Sequence, residues 1–179
     1  DYVNTLANDT TNTTYPDALN RLGDCLFHDR KFQEASLIYS RVAELKSIGA
    51  DYALLQNGYA QGLMHKYTEK IEILRSLTQQ YPYSDYADDA FYEIARAELL
   101  QDHNTEAIEV YQYLLENYPN SSHAATASLE LGMTYRTLKQ YDEAIQAFKT
   151  TINTYVGSQE AYSALEGLEQ IYVETNNVD

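Results

Sequence analysis

The residue types that most often do chemistry are few in this chain and poorly spaced for it. The four histidines, His28, His65, His103 and His123, share no i, i+4 spacing that would place two imidazoles on one helix face. Three of them fall near expected helix ends, where solvated or capping roles outweigh metal ligation. A single cysteine, Cys25, rules out an internal disulfide. Acid pairs such as Asp88/Asp89 sit beside an expected helix start, where they suit the positive end of the helix. No nucleophile is paired with a base and an orienting group, and there is no Gly-rich phosphate loop. The pattern implies neither a catalytic residue nor a cofactor nor a bound metal.

Charge narrows the partners. With 12 Lys+Arg against 27 Asp+Glu, the 179-residue chain carries a formal charge of −15 and repels phosphate backbones, which argues against nucleic acid. Solubility accounts for such a charge, and a groove for basic segments is the sharper reading. No apolar run approaches the ~18 residues of a membrane span.

The elements that would position a site repeat. The stretch TEAIEVYQYLLENYPNS at 105–121 is echoed 37 positions upstream as TEKIEILRSLTQQYPYS and 37 downstream as DEAIQAFKTTINTYVGS. Ser84, Ser121 and Ser158 keep that interval, as do Ala87, Ala124 and Ala161, Tyr81, Tyr118 and Tyr155, and Ile71, Ile108 and Ile145; Gly23 to Gly58 is 35. A fixed period of this length means stacked helix pairs that bury their apolar faces only against neighbours. Gly23, Gly58, Ala95 and Gly132 hold one small position on each first helix, which lets the partner helix cross closely. Ala35, Ala107 and Ala144 do the same on the second, and Lys70, which breaks that set, is expected to snorkel outward and loosen its repeat. Tyr81-Pro82 and Tyr118-Pro119 end their helices, because the residue before proline is pushed out of helical geometry. Ser84 and Ser121 are then expected to cap the next helix, at ~1 kcal/mol each. Cys25 aligns with Ala60, Ala97 and Thr134 and is expected to be a buried structural thiol.

At these residues the chain resembles the tetratricopeptide repeat (TPR) family. The resemblance rests on the small residue after Leu22 and Leu131 and the aromatics Phe32, Tyr67 and Tyr141. The Ala35/Ala107/Ala144 set, the aromatics Tyr39, Tyr111 and Phe148 and the closing Pro82 and Pro119 complete it. Lys70, Asn104 and Val156 depart from the pattern. The resemblance implies an all-α fold, a right-handed superhelix (α-solenoid) of about four helix-turn-helix repeats plus a terminal helix. Residues 1–14 read as a truncated helix end and loop, and 15–49, 50–83, 84–120 and 121–157 as repeats one to four. Residues 158–179 read as the first helix of a further repeat or a capping helix, and the whole as a piece of a longer array. Asn8, Asn12 and Asn120 fit the N-glycosylation pattern, which is weak at three residues. The longer period and its Tyr-Pro-x-Ser joint are similar to repeats of bacterial outer-membrane assembly lipoproteins and of the Tol-Pal-associated periplasmic protein. That similarity implies a cell-envelope or periplasmic setting.

In the family, ligand contacts usually come from the first helix of each pair. By register, the resemblance implies a peptide groove of Asn20 and Asp24 in repeat one and Tyr52, Leu55 and Tyr59 in repeat two. Repeat three adds Tyr92, Arg96 and Leu99, and repeat four Met133 and Arg136. The competing reading is that Tyr52, Tyr59 and Tyr92 pack between repeats. The implied function is a non-enzymatic protein-interaction scaffold; the alternatives are a self-assembly domain or the scaffold portion of a larger enzyme or sensor. Leu165, Leu168 and Tyr172 are expected either to pack back on repeat four or to mediate self-association.

Overall fold

The computed structural model describes residues 14–176. The expected truncated helix end and the Asn8 and Asn12 patterns lie outside the described residues. Among the described residues every regular element is an α-helix: α1 Thr14–His28, α2 Phe32–Glu44, α3 Ala50–Leu63, α4 Tyr67–Gln80, α5 Ala87–Leu99, α6 Asn104–Asn117, α7 Ala124–Thr137, α8 Tyr141–Thr154 and α9 Gln159–Asn176. They fall into two compact units, residues 1–97 and 98–179, divided inside α5.

Within the first unit α2 packs on α1, α3 on α2 and α4 on α3, around a core of Tyr15, Leu19, Ala35, Tyr39, Val42 and Ala53. Close crossing depends on the small positions. A Cβ on Gly23 would lie 2.5 Å from the Tyr39 ring, and one on Gly58 2.5 Å from Leu74. Within the second unit α7 packs on α6 and α8 on α7, while α9 lies against both α8 and α7. Its core is Ala144, Phe148, Ala164 and Ile171.

The turns inside the pairs share one device. Arg30, His65, Asp102 and Lys139, all non-glycine, have φ of 63°, 58°, 60° and 58°. Each lies two or three residues beyond a helix end. Its N–H bonds back to a carbonyl three residues earlier, and the next N–H bonds five residues back, as in Lys139 to Arg136 and Gln140 to Tyr135, both at 2.9 Å. This is the Schellman arrangement, which satisfies carbonyls the helix would leave open and favours glycine at the left-handed position.

The joints between pairs are less proline-dependent than the sequence suggests. Tyr81, Tyr118 and Tyr155 end their helices with φ of −129°, −128° and −111°. Tyr155 does so before Val156, so the departure from proline leaves the helix end in place, and Gly157 takes φ +81° next. Ser84 and Ser121 do not cap the following helix as expected, and the N-cap of α7 is His123 with no side-chain bond. Ser158 Oγ accepts from Ala161 N–H at 3.1 Å, three residues on. Ser84 and Ser121 accept from Tyr86 and His123, two residues on, in a turn that precedes the helix.

Two further expectations are corrected. Lys70 is buried and turned inward, with its stem over Gly62 and its ammonium paired with Glu93. Partial burial of both charges, rather than snorkelling, is therefore how the second repeat accommodates it. Cys25 is exposed, because its position on α1 lies off the buried face formed by Tyr15, Leu19 and Gly23. In α9 the buried face is Ala161, Ala164, Gly167 and Ile171, with Leu168 partly buried against the core. Leu165 and Tyr172 point away from that face and stay exposed.

Candidate binding face

The residues expected to line a groove separate into three groups. Asn20, Leu55 and Tyr92 are buried, which corrects their assignment as contact residues. Asn20 turns its amide into the structure and donates to the Gly49 carbonyl at 3.1 Å, fastening α1 to the loop that enters α3. Leu55 is covered because α3 packs against both α2 and α4. The buried reading of Tyr92 is the one the structure supports.

A second group is held by partners. Asp24, on α1, accepts from the Tyr39 and Tyr52 hydroxyls, each at 2.8 Å and each at the same oxygen, Oδ1. Burial first, and then this carboxylate, push both phenol pKa values upward, so the two hydroxyls remain donors. The Tyr52 ring also meets Tyr86, centroids 5.7 Å apart. In the second unit Arg136 donates to Gln170 and lies 3.7 Å from Glu174, both on α9.

The third group reaches solvent. Arg96 is exposed, with its guanidinium 5.7 Å from the Tyr92 centroid and 3.6 Å from Glu93. Tyr59 is half-buried, and its pKa is raised by burial first and then by the charges of Asp89, Glu93 and Asp88. Met133 is exposed and Leu99 half-buried in the second unit. The expected patch of Tyr59, Tyr92 and Arg96 thus keeps Tyr59 and Arg96 at the surface, with Tyr92 as the platform beneath the arginine.

One cleft was found only in part by the register argument, which names Asp24 and Tyr52 but not its wall from α2. Asp24, Phe27, His28, Arg30, Phe32, Tyr39, Tyr52, Gln56 and Leu63 surround about 640 Å³ of open space at the α1–α2 turn and along α3. Phe27 and Phe32 meet edge to face, 5.3 Å apart, on either side of that turn. Its second-helix members, Phe32 and Tyr39, fall at aromatic positions of the repeat pattern. Asp24, a carboxylate directly after the small position Gly23, is one residue the register shares with the cleft. Among the described residues no three His, Cys, Asp or Glu side chains come together as metal ligands.

Residues 92–154 match the family model described as tetratricopeptide repeat. The solved structure of MamA superposes with a TM-score of 0.69 at 21% identity, over 90% of this chain and 88% of that one. The fold is that of tetratricopeptide repeat proteins. A TPR protein from Parabacteroides merdae superposes with a TM-score of 0.76 at 16% identity, over 90% of this chain and 61% of that one. YrrB, described as a TPR protein with an unusual peptide-binding site, reaches 0.71 at 16% identity, over 98% of this chain and 84% of its own. No curated protein sequence matches the chain. Asp24, Tyr52, Tyr59 and Arg96 all stand on the first helices of their pairs. No described helix is long and apolar enough to cross a membrane.

Proposed function

We propose that this chain is a non-catalytic protein-interaction module that binds an extended segment of another protein on its first-helix faces. The observation that carries this reading is the half-exposed, acid-flanked aromatic surface of the first unit. Asp24 is set between two tyrosines, and Tyr59 stands among Asp88, Asp89 and Glu93. Tyrosines so placed offer contact area with one polar end, and the acids favour segments of positive charge. A TPR fold suits such work, since stacked repeats present rigid helices at regular spacing. The long 37-residue interval and its Tyr-Pro-x-Ser joint support a bacterial cell-envelope setting for the interaction.

The test is selection from a random peptide library on the immobilised chain, followed by calorimetry on the selected sequences. Binding that falls about tenfold or more in Tyr59→Ala or Arg96→Ala supports the reading. Failure to select any segment, or selected segments indifferent to both substitutions, overturns it.

A further inference from the structure

We infer that the cleft at the α1–α2 turn receives a basic side chain, arginine or lysine, of the bound segment, with Asp24 as its counter-charge. The inference rests on the protein-binding reading above and names the chemistry of one contact within it. Both tyrosine hydroxyl protons go to Asp24 Oδ1, and no described residue donates to Oδ2. The Asp24 carboxylate therefore has an oxygen available to a ligand donor, while the two phenol protons beside it are already committed. A carboxylate ligand would meet an unpaired acceptor there; an ammonium or guanidinium would meet its complement.

The walls favour the same charge. Phe27, Phe32 and Tyr52 line the same cleft as the carboxylate, and a cation near aromatic rings gains from their quadrupoles. The space, about 640 Å³, exceeds what one side chain fills and leaves room for segment backbone across the mouth. Arg30 and His28 at the rim carry the opposing tendency, and both are exposed to water, which weakens it. The net charge of −15 adds a long-range attraction for basic segments.

The test uses isotope-labelled full chain titrated with blocked pentapeptides, glycine except for a central arginine, lysine, glutamine or glutamate. The arginine and lysine peptides are expected to shift the amide signals of Asp24, Phe27, Phe32 and Tyr52 saturably, and the glutamine and glutamate peptides to leave them. Asp24→Asn, with folding checked by circular dichroism, is expected to weaken basic-peptide binding about tenfold or more. Gln56→Lys, which leaves the tyrosine–carboxylate bonds intact, should weaken it similarly by placing a cation in the cleft. Arg30→Gly removes a rim charge and suits the positive φ there, so it should tighten binding severalfold. A preference for the glutamate peptide, shifts confined to residues outside the cleft, or indifference to both Asp24→Asn and Gln56→Lys overturns the inference. Library-selected segments that still bind through Tyr59 or Arg96 in those cases would leave the broader function standing, and failure of both assays would remove both.

Discussion

Lys70 and Glu93 form an ion pair at the point where the other repeats place an alanine. The lysine and glutamate side chains are only 8% and 15% exposed, and Arg96 lies 3.6 Å from the second carboxylate oxygen. Desolvation makes such a pair weak as a source of net stability, yet removing one member is costly because its partner remains buried.

Lys70→Ala restores the alanine of the other second helices and is nevertheless expected to destabilise. Removing one member of a buried pair typically costs about 3–5 kcal/mol. Arg96 still partners Glu93 here, so the expected loss is about 2 kcal/mol. Lys70→Ala/Glu93→Ala should recover part of it. Urea unfolding of both variants and of Glu93→Ala closes the double-mutant cycle. A double-variant loss equal to the sum of the two single losses would show that the pair carries no coupling.

Phe148 lies between two glycines. A Cβ on Gly132 would come 2.6 Å from one ring edge, and a Cβ on Gly167 2.6 Å from another. Gly132→Ala gains about 1 kcal/mol in helix propensity and loses about 1–3 kcal/mol to overpacking, so the expected outcome is net destabilisation. Gly132→Ala combined with Phe148→Leu should be less unstable than the two single effects added. Thermal unfolding of the four proteins measures this coupling.

The four left-handed turn residues offer the opposite prediction. Lys139 holds φ 58° without the freedom of glycine. Lys139→Gly should stabilise by about 0.5–1 kcal/mol, and Lys139→Val should destabilise, since a β-branched residue at that φ is strained. Shifts in urea midpoint at unchanged slope provide the readout.

Alkaline pH should unfold the first unit through its tyrosines. The pKa values of Tyr39, Tyr52 and Tyr59 are raised, in each case by burial first. Above about pH 10 the unfolded chain loses these protons while the folded chain keeps them. Folded protein then binds more protons, so stability is full below pH 10 and declines as pH rises past it. Tyr39→Phe should cost stability at neutral pH, where Asp24 loses one donor, and flatten the decline above pH 10. Stability measured across the alkaline range, with tyrosinate absorbance alongside, checks both effects.

Periodicity alone determined the helices and their pairing. The 37-residue interval, the small positions at Gly23, Gly58 and Gly132 and the aromatic steps at Tyr81 and Tyr118 are local requirements of close crossing and helix ending, written in residue type. The register also selected residues that reach the surface, Tyr59, Arg96 and Met133 among them. Tertiary structure alone decided which other first-helix residues face water. A helical period assigns a side chain to a face, but α3 touches both α2 and α4, so Leu55 lies covered. The inward turn of Lys70 is not legible in the repeat, because whether a long charged stem goes in or out depends on a partner 23 residues away, Glu93, and on the space left by Gly62. Asp24 became more than one groove position only once folding brought the hydroxyls of Tyr39 and Tyr52, from two other helices, to one of its oxygens.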